Sequence, residues 1–76
     1  MKELVEVLVR SLVDQPDQVA VTSKETARSL VLEVRVAPAD MGKVIGRQGR
    51  VARAIRTVVK AAAVRDGRRV QVEFVP

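Results

Sequence analysis

The most chemically distinctive stretch of the chain is GKVIGRQGR, which runs from Gly42 to Arg50. Its three glycines, at positions 42, 46 and 49, lie four and then three positions apart, and arginines follow the second and the third. Because glycine lacks a Cβ atom, a ligand can come into contact with the main chain at these positions. Amides at the start of a helix, with arginines beside them, favour an anion. The residue types and their spacing therefore predict a site for a phosphate-bearing ligand.

Two familiar phosphate-binding loops do not fit this spacing. A P-loop needs a lysine followed by serine or threonine directly after its second glycine, and no such pair follows any of the glycines here. A dinucleotide fingerprint needs Gly-x-Gly-x-x-Gly after a strand of a larger sheet, whereas this motif is spaced differently and follows a predicted helix. What remains is a GxxG joint between two helices, at which a sugar-phosphate backbone can contact the main chain. The simpler alternative is that the glycines only turn the chain.

The distribution of charge favours the ligand over the simple turn. The net charge is +5. Residues 1–40 contain five basic and seven acidic side chains, residues 41–65 contain seven basic and no acidic ones, and residues 66–76 contain two of each. A face that serves solubility intersperses both signs. A concentrated positive stretch is instead typical of a protein that binds a polyanion.

The composition excludes several classes of function. Without cysteine or histidine, the chain has no disulfide, thiolate nucleophile, zinc finger or imidazole acid–base group. A metal-dependent nuclease needs several converging carboxylates, and only Asp40 lies near the glycine motif. We therefore expect no enzyme, no metal and no cofactor. The apolar runs are too short to span a membrane, and acids interrupt the first ten residues, so we expect no secretory signal and a cytoplasmic location.

The elements around the motif follow from hydrophobic periodicity, and a chain of 76 residues predicts one domain over residues 1–76. Apolar residues three and four apart predict a helix over residues 2–13, which Pro16 ends. Alternation predicts a short strand around Val19 and Val21 and a longer one over residues 30–36. The polar segment SKETAR joins these two strands as an antiparallel hairpin. A last strand is predicted over residues 70–75.

The glycine motif lies between two predicted helices. The first runs from Met41 to Ile45, after a turn at Pro38, and the second runs from Arg50 to about Arg65, before Gly67. The predicted apolar face of the second helix consists of Val51, Ile55, Val58, Val59 and Ala62. Its opposite face carries Arg50, Arg53, Arg56 and Lys60. The order α-β-β-α-α-β predicts an α+β fold, with three helices on one face of a three-stranded mixed sheet whose last strand is parallel to the second.

The stretch over residues 36–75, above all DMGKVIGRQGR, resembles a bacterial type II KH domain, and nearly the whole chain is similar to the small stand-alone KH proteins of the KhpA family. The resemblance implies a cytoplasmic protein that binds single-stranded RNA. Such a protein acts as an RNA chaperone or post-transcriptional regulator linked to cell-envelope and cell-shape control. Relatives form homodimers, or heterodimers with a larger KH-containing RNA-binding protein, KhpB.

The resemblance also implies which residues bind RNA. A KH domain clamps about four nucleotides at its GxxG loop, which falls here on residues 46–49, and its apolar groove floor falls on Val44 and Ile45. The expected RNA-binding residues are Lys43, Val44, Ile45, Gly46, Arg47, Gln48, Gly49, Arg50 and Arg53. Phe74 is the single aromatic residue of the chain and belongs to the predicted core, so no ring is free for base stacking. We therefore expect weak binding with little sequence preference.

A second hypothesis is a protein-interaction subunit that dimerises or docks within a larger RNA-binding complex. It is favoured by the small size of the chain, its abundant valine and the segment AAAV after Lys60, which would let another chain approach closely. Ordinary helix packing is the simpler explanation of AAAV.

Overall fold

A computed structural model describes residues 1–64 and 67–76 of the chain. Within these residues, three α-helices and three β-strands follow one another in the predicted order. The elements are α1 (Lys2–Arg10), β1 (Ala20–Glu25), β2 (Ser29–Arg35), α2 (Met41–Ile45), α3 (Arg50–Ala63) and β3 (Arg69–Val75). Short 3₁₀ turns lie in the connections at Pro16–Gln18, Pro38–Asp40 and Arg47–Gly49.

The strands form one mixed sheet with β2 in the centre. β1 and β2 pair antiparallel, with Val21 opposite Val34. β2 and β3 pair parallel, with Leu32 opposite Val72, because the two-helix crossover returns the chain to the same end of the sheet. The predicted α+β fold, with its antiparallel hairpin and its parallel last strand, is confirmed.

The core lies between the helices and one face of the sheet. Side chains on a strand point alternately to its two faces, and the predicted inward residues Leu30, Leu32 and Val34 are all buried. α1 adds Val5 and Val9, which lie four residues apart and are fully buried. The same alternation buries Val72 on β3, so all three helices and all three strands contribute side chains to one core.

The buried face of α3 is rotated from the predicted face. It consists of Ala52, Ile55, Val59 and Ala63. The prediction was wrong for Val58, which is 47% exposed. Val51 is half-buried and packs against the core, and Ala62 is half-buried. A spacing of three and four residues fits two neighbouring faces, and close packing in the core selects the face that buries Ala52 and Ala63.

The first helix ends earlier than predicted, at Arg10 and not at Val13. The hydroxyl of Ser11 donates to the carbonyl oxygen of Leu8 (2.7 Å). The amide of Leu12 donates to the carbonyl oxygen of Val9 (3.0 Å) across three residues. These bonds close a tighter last turn, which is a common way to satisfy the terminal groups of a helix.

The first strand is longer than predicted. It continues through the polar residues Ser23 and Lys24 to Glu25, which pairs with Leu30. Backbone pairing requires no apolar side chain, so the predicted connection SKETAR shrinks to residues 26–28. The predicted end of α3 near Arg65 lies outside the described residues. Within residues 1–64 and 67–76, no helix combines the length and apolar character that a membrane crossing needs.

Candidate nucleic-acid interface

The glycine motif forms the predicted joint between two helices. α2 ends at Ile45, where the amide of Gly46 donates to the carbonyl oxygen of Gly42 (2.9 Å). A single 3₁₀ turn over Arg47–Gly49 follows, and α3 begins at Arg50. Only four residues, 46–49, separate the two helices, so the end of α2 lies beside the start of α3.

Gly46 is required by both its conformation and its surroundings. Its backbone angles, φ 74° and ψ 173°, lie in a region open essentially to glycine alone. A Cβ atom at this position would lie 2.5 Å from Cγ2 of Val51 and 2.9 Å from the amide nitrogen of Val51. The loop thus folds back onto the first turn of α3.

Gln48 and Gly49 both have left-handed backbone conformations, with φ 59° and 73°. Glycine adopts this conformation without steric cost, and an added Cβ at Gly49 would meet open space. For a residue with a side chain, the same conformation costs about 1–2 kcal/mol. Gln48 is therefore a strained residue in the middle of the GxxG loop, and neighbouring contacts must offset the strain.

The peptide between Gln48 and Gly49 has such contacts at both ends. Nη2 of Arg53 donates to the carbonyl oxygen of Gln48 (2.5 Å). The amide of Gly49 donates to the carbonyl oxygen of Gly46 (3.2 Å). Within the described part of the chain, the amides of Arg47 and Gln48 donate to no protein acceptor. Two main-chain donors of the loop thus remain available to an anion.

The arginines of the motif are exposed beside these amides. Arg47, Arg50 and Arg53 all lie on the surface. Among the described residues, no carboxylate lies within 4 Å of their guanidinium groups. Their charge is therefore uncompensated at short range, as an anion site requires.

Lys43, by contrast, is already paired. Its Nζ lies 2.6 Å from Oδ2 of Asp14 in the connection after α1. The hydrogen bond to Asp14 raises the pKa of Lys43 above its ordinary value of 10.5, and the charges of Asp14 and Asp40 add to this effect. The ammonium of Lys43 is thus held by the connection after α1, and a phosphate would have to compete with Asp14 for it.

Asp40, the carboxylate nearest to the motif, has a structural role. It is 1% exposed, and its two oxygens accept hydrogen bonds from the amides of Asp14 (3.3 Å) and Gln15 (3.1 Å). Both oxygens are therefore engaged in holding the connection after α1 against the start of α2. Within residues 1–64 and 67–76, no three acidic side chains come together in a way that could hold a metal ion.

The two residues of the predicted groove floor differ in burial. Val44 is fully buried in the core, so the expectation that bases lie against its side chain was wrong. Ile45 is half-buried and packs against the core from its edge. On a helix, consecutive side chains point about 100° apart, so α2 directs Val44 inward and leaves part of Ile45 accessible.

A groove of about 810 Å³ lies between α3 and the edge strand β3. Its basic side chains are those of Arg56, Lys60, Arg68 and Arg69. Nε of Arg56 donates to the carbonyl oxygen of Val72 (3.1 Å), and its guanidinium carbon lies 5.7 Å from the centre of the Phe74 ring. This contact ties the middle of α3 to the middle of β3.

The sequence alone did not place Arg68 and Arg69 beside the basic face of α3. Their segment carries as many acids as bases, so its charge balance gave no signal. Parallel pairing of β3 with β2 places Arg69 opposite Ser29 and brings the start of β3 to the groove. The basic face of α3 was the available clue, because it predicts that a polyanion extends along the helix and not only at its start.

Comparisons with known proteins identify the family. The family model described as "KhpA/KhpB, KH domain" matches residues 2–74. The RNA-binding protein KhpA of Clostridium acetobutylicum is 57% identical over 75 residues, which cover 99% of this chain and 100% of that protein. The RNA-binding protein KhpA of Streptomyces coelicolor is 55% identical over 75 residues, covering 99% of this chain and 91% of that protein.

Solved structures with a similar fold agree with the predicted architecture. Aquifex aeolicus Era bound to GDP.AlF4- has a TM-score of 0.66 at 22% identity, over 96% of this chain and 28% of that chain. Era in complex with MgGDPNP and nucleotides 1506–1542 of 16S ribosomal RNA has a TM-score of 0.65 at 22% identity and the same coverage. The resemblance found in the sequence is confirmed at the level of fold and family: the chain belongs to the KH domains of the KhpA/KhpB family.

Proposed function

We propose that this protein binds single-stranded RNA and that the GxxG loop clamps the sugar-phosphate backbone. The observation on which the proposal rests is the turn at residues 46–49. Among the residues that the structure describes, two amides of this turn have no protein acceptor, and the neighbouring side chains of Arg47 and Arg50 pair with no carboxylate. Relatives that share more than half of the sequence are named RNA-binding proteins, which supports the same conclusion.

A mechanism follows from this geometry. A phosphate accepts hydrogen bonds from the amides of Arg47 and Gln48, at the positive end of the α3 dipole. Because Gly46 and Gly49 lack side chains, the nucleic-acid backbone can reach these amides. Arg47 and Arg50 neutralise the flanking phosphates, Lys43 contributes after leaving Asp14, and Ile45 offers apolar surface to a base. About four nucleotides fit such a clamp.

The groove along α3 is the natural continuation of this path. The exposed side chains of Arg56 and Lys60 line one side, and Arg68 and Arg69 line the far end. A strand that leaves the GxxG loop along α3 therefore stays in a positive field. The path offers no exposed aromatic ring, because Phe74 is half-buried beneath the guanidinium of Arg56. Binding is accordingly weak and tolerant of sequence.

The wider role that we propose is that of a cytoplasmic RNA chaperone or post-transcriptional regulator within cell-shape control. It acts without catalysis, metal or cofactor, as one domain over residues 1–76. Its protein partners are a second copy of the chain or a larger KH-containing RNA-binding protein, KhpB. Family membership supports this role and these partners. The absence of catalysis is supported by Asp40, whose carboxylate is engaged in two structural hydrogen bonds.

A charge-reversal variant tests RNA binding at the loop. Arg47→Asp with Gln48→Asp should abolish binding of a fluorescein-labelled oligouridylate of about 12 nucleotides, longer than one footprint of about four. Fluorescence anisotropy measures the affinity, and circular dichroism checks the fold. The matched control, Thr22→Asp with Lys24→Asp, makes the same change in net charge on the exposed edge strand β1. Near-normal affinity in the loop variant would rule out the proposed clamp.

A second candidate function is a dimerising subunit of a larger RNA-binding complex. The observation that favours it is Val64, at the end of the AAAV segment, whose exposed fraction is 74%. Sedimentation over a range of concentrations tests this candidate, with Val64→Glu as the variant that should weaken self-association. A chain that stays monomeric at the concentrations where it binds RNA would eliminate the homodimer as its working form.

A further inference from the structure

The strained peptide of the GxxG loop depends on one residue of α3. The turn needs left-handed conformations at both Gln48 and Gly49, and only the glycine adopts this conformation without steric cost. The amide side of the peptide is held by the loop itself, through Gly46. Its carbonyl side is held from outside the loop, by the guanidinium of Arg53.

Arg53 is well placed to hold a loop rigidly. It lies on α3 between Ala52 and Ile55, which are both buried, so the backbone beneath it is anchored in the core. Its own carbonyl oxygen accepts a hydrogen bond from the hydroxyl of Thr57 (2.8 Å). A charged donor to a carbonyl oxygen forms a stronger bond than a neutral donor. The contact therefore joins the strained part of the loop to a rigid element of the fold.

We propose that Arg53 is a positioning residue: it fixes the Gln48–Gly49 peptide so that the amides of Arg47 and Gln48 face the phosphate, and it does not bind the phosphate itself. The inference rests on the proposed function and changes the role that the family resemblance implies for this arginine. Without Arg53, Gln48 is free to relax to a right-handed or extended conformation, and the loop is competent for binding only part of the time.

The two roles predict different dependence on salt. Loss of a phosphate ligand lowers the slope of log K against log salt concentration by about 0.7 for a single strand. Loss of a positioning contact lowers the competent fraction, so the apparent affinity falls by the same factor at every salt concentration. Affinity alone does not separate the two roles, but the slope does.

The experiment compares Arg53→Ala with Arg50→Ala, which removes an equal charge from the same helix three residues earlier. Fluorescence anisotropy with the labelled oligouridylate, at several salt concentrations, gives both affinity and slope. We expect Arg53→Ala to weaken binding about three- to tenfold with an unchanged slope, because an exposed charge-assisted hydrogen bond is modest in strength. We expect Arg50→Ala to lower the slope by about 0.7.

A second measurement does not involve RNA. Hydrogen exchange of the Gly49 amide, followed by nuclear magnetic resonance in the free protein, should be faster in Arg53→Ala and unchanged in Arg50→Ala. Adding Gln48→Asn to Arg53→Ala should restore part of the affinity. Asparagine favours the left-handed conformation more than glutamine does and keeps an amide side chain.

Two outcomes would overturn the assignment, and a third would separate it from the proposed function. A slope that falls in Arg53→Ala as it does in Arg50→Ala would make Arg53 a phosphate ligand. Unchanged affinity together with unchanged exchange at Gly49 would show that the contact does not hold the loop. If the unmodified protein does not bind the oligonucleotide at all, the proposed function fails, and the exchange rate of Gly49 alone decides whether Arg53 fixes the loop.

Discussion

A methyl group placed on Gly46 would lie 2.5 Å from Cγ2 of Val51 and 2.9 Å from the amide nitrogen of the same residue. The second contact is with the backbone of α3, which cannot move aside as the end of a flexible side chain can. This close approach sets how the end of α2 and the start of α3 meet at the proposed phosphate site. The angle between α2 and α3 therefore depends on the absence of a Cβ atom at position 46.

The three glycines of the motif should differ in their tolerance of alanine. Gly46→Ala combines a backbone clash with a forbidden conformation and should lower the free energy of unfolding by about 3 kcal/mol or more. Gly49→Ala meets open space and should cost about 1 kcal/mol through its positive φ alone. Gly42→Ala lies inside α2, where an added Cβ atom would meet nothing within 4 Å beyond its chain neighbours and its own helix backbone, and it should be neutral or stabilise by up to about 1 kcal/mol. Urea unfolding measures all three, and equal costs would contradict the geometry.

Asp40 should be important for stability because it holds the connection after α1. Asp40→Asn keeps the shape but replaces one acceptor oxygen by a donor, so the amide of Asp14 or of Gln15 loses its partner in a buried site. We expect the free energy of unfolding to fall by about 1–3 kcal/mol. Asp17→Asn, an exposed position in the same connection, is the control and should change it by less than about 0.5 kcal/mol. Equal effects in urea unfolding would show that Asp40 does not anchor the connection.

The pair of Lys43 and Asp14 should be visible in the titration of the lysine. Asp14→Asn removes the hydrogen bond that raises the pKa of Lys43, so this pKa should fall toward 10.5. Because the folded-state pKa is the higher one, the pair stabilises the fold below the unfolded-state pKa, and this effect is lost as the pH rises through the folded-state pKa. Carbon-13 shifts of the lysine side chain measure the change. A pKa of Lys43 that stays raised in Asp14→Asn would contradict the pairing.

The same substitution tests the part that Lys43 has in RNA binding. If a phosphate must displace Asp14, then Asp14→Asn should tighten binding of the oligouridylate by up to about fivefold at low salt, since exposed pairs are weak. The gain should disappear in Lys43→Ala with Asp14→Asn. An affinity gain that persists without Lys43 would come from the general loss of negative charge.

The buried face of α3 can be tested with two adjacent valines. Val59 is 1% exposed, and Val59→Ala should lower the free energy of unfolding by about 2 kcal/mol. Val58→Ala removes the same atoms from a half-exposed position and should cost less than about 0.5 kcal/mol. Urea unfolding measures both costs. The face predicted from the sequence included both valines, so comparable losses of unfolding free energy in the two variants would favour that face over the observed one.

Local spacing was sufficient to predict most of the architecture. Apolar residues alternate on β2 and recur at three and four on α1, and these periods follow from the geometry of a strand and a helix. The GxxG motif was equally accessible, because the absence of Cβ atoms and the positive charge are properties of the residues themselves. The order of elements, the parallel last strand and the position of the loop therefore needed no coordinates.

Contacts between distant segments could not be predicted in this way. Spacing allows two neighbouring faces on α3, and packing against the sheet buries Ala52 and Ala63 in place of Val58. Asp40 receives its partners from residues 25 and 26 positions away, and the groove joins α3 to β3 through strand pairing. Arg53 reaches back only five residues to Gln48, but this contact depends on left-handed conformations at Gln48 and Gly49, which periodicity does not predict. Periodicity assigns a residue to a face, but the rotation and approach of packed elements determine which atoms touch.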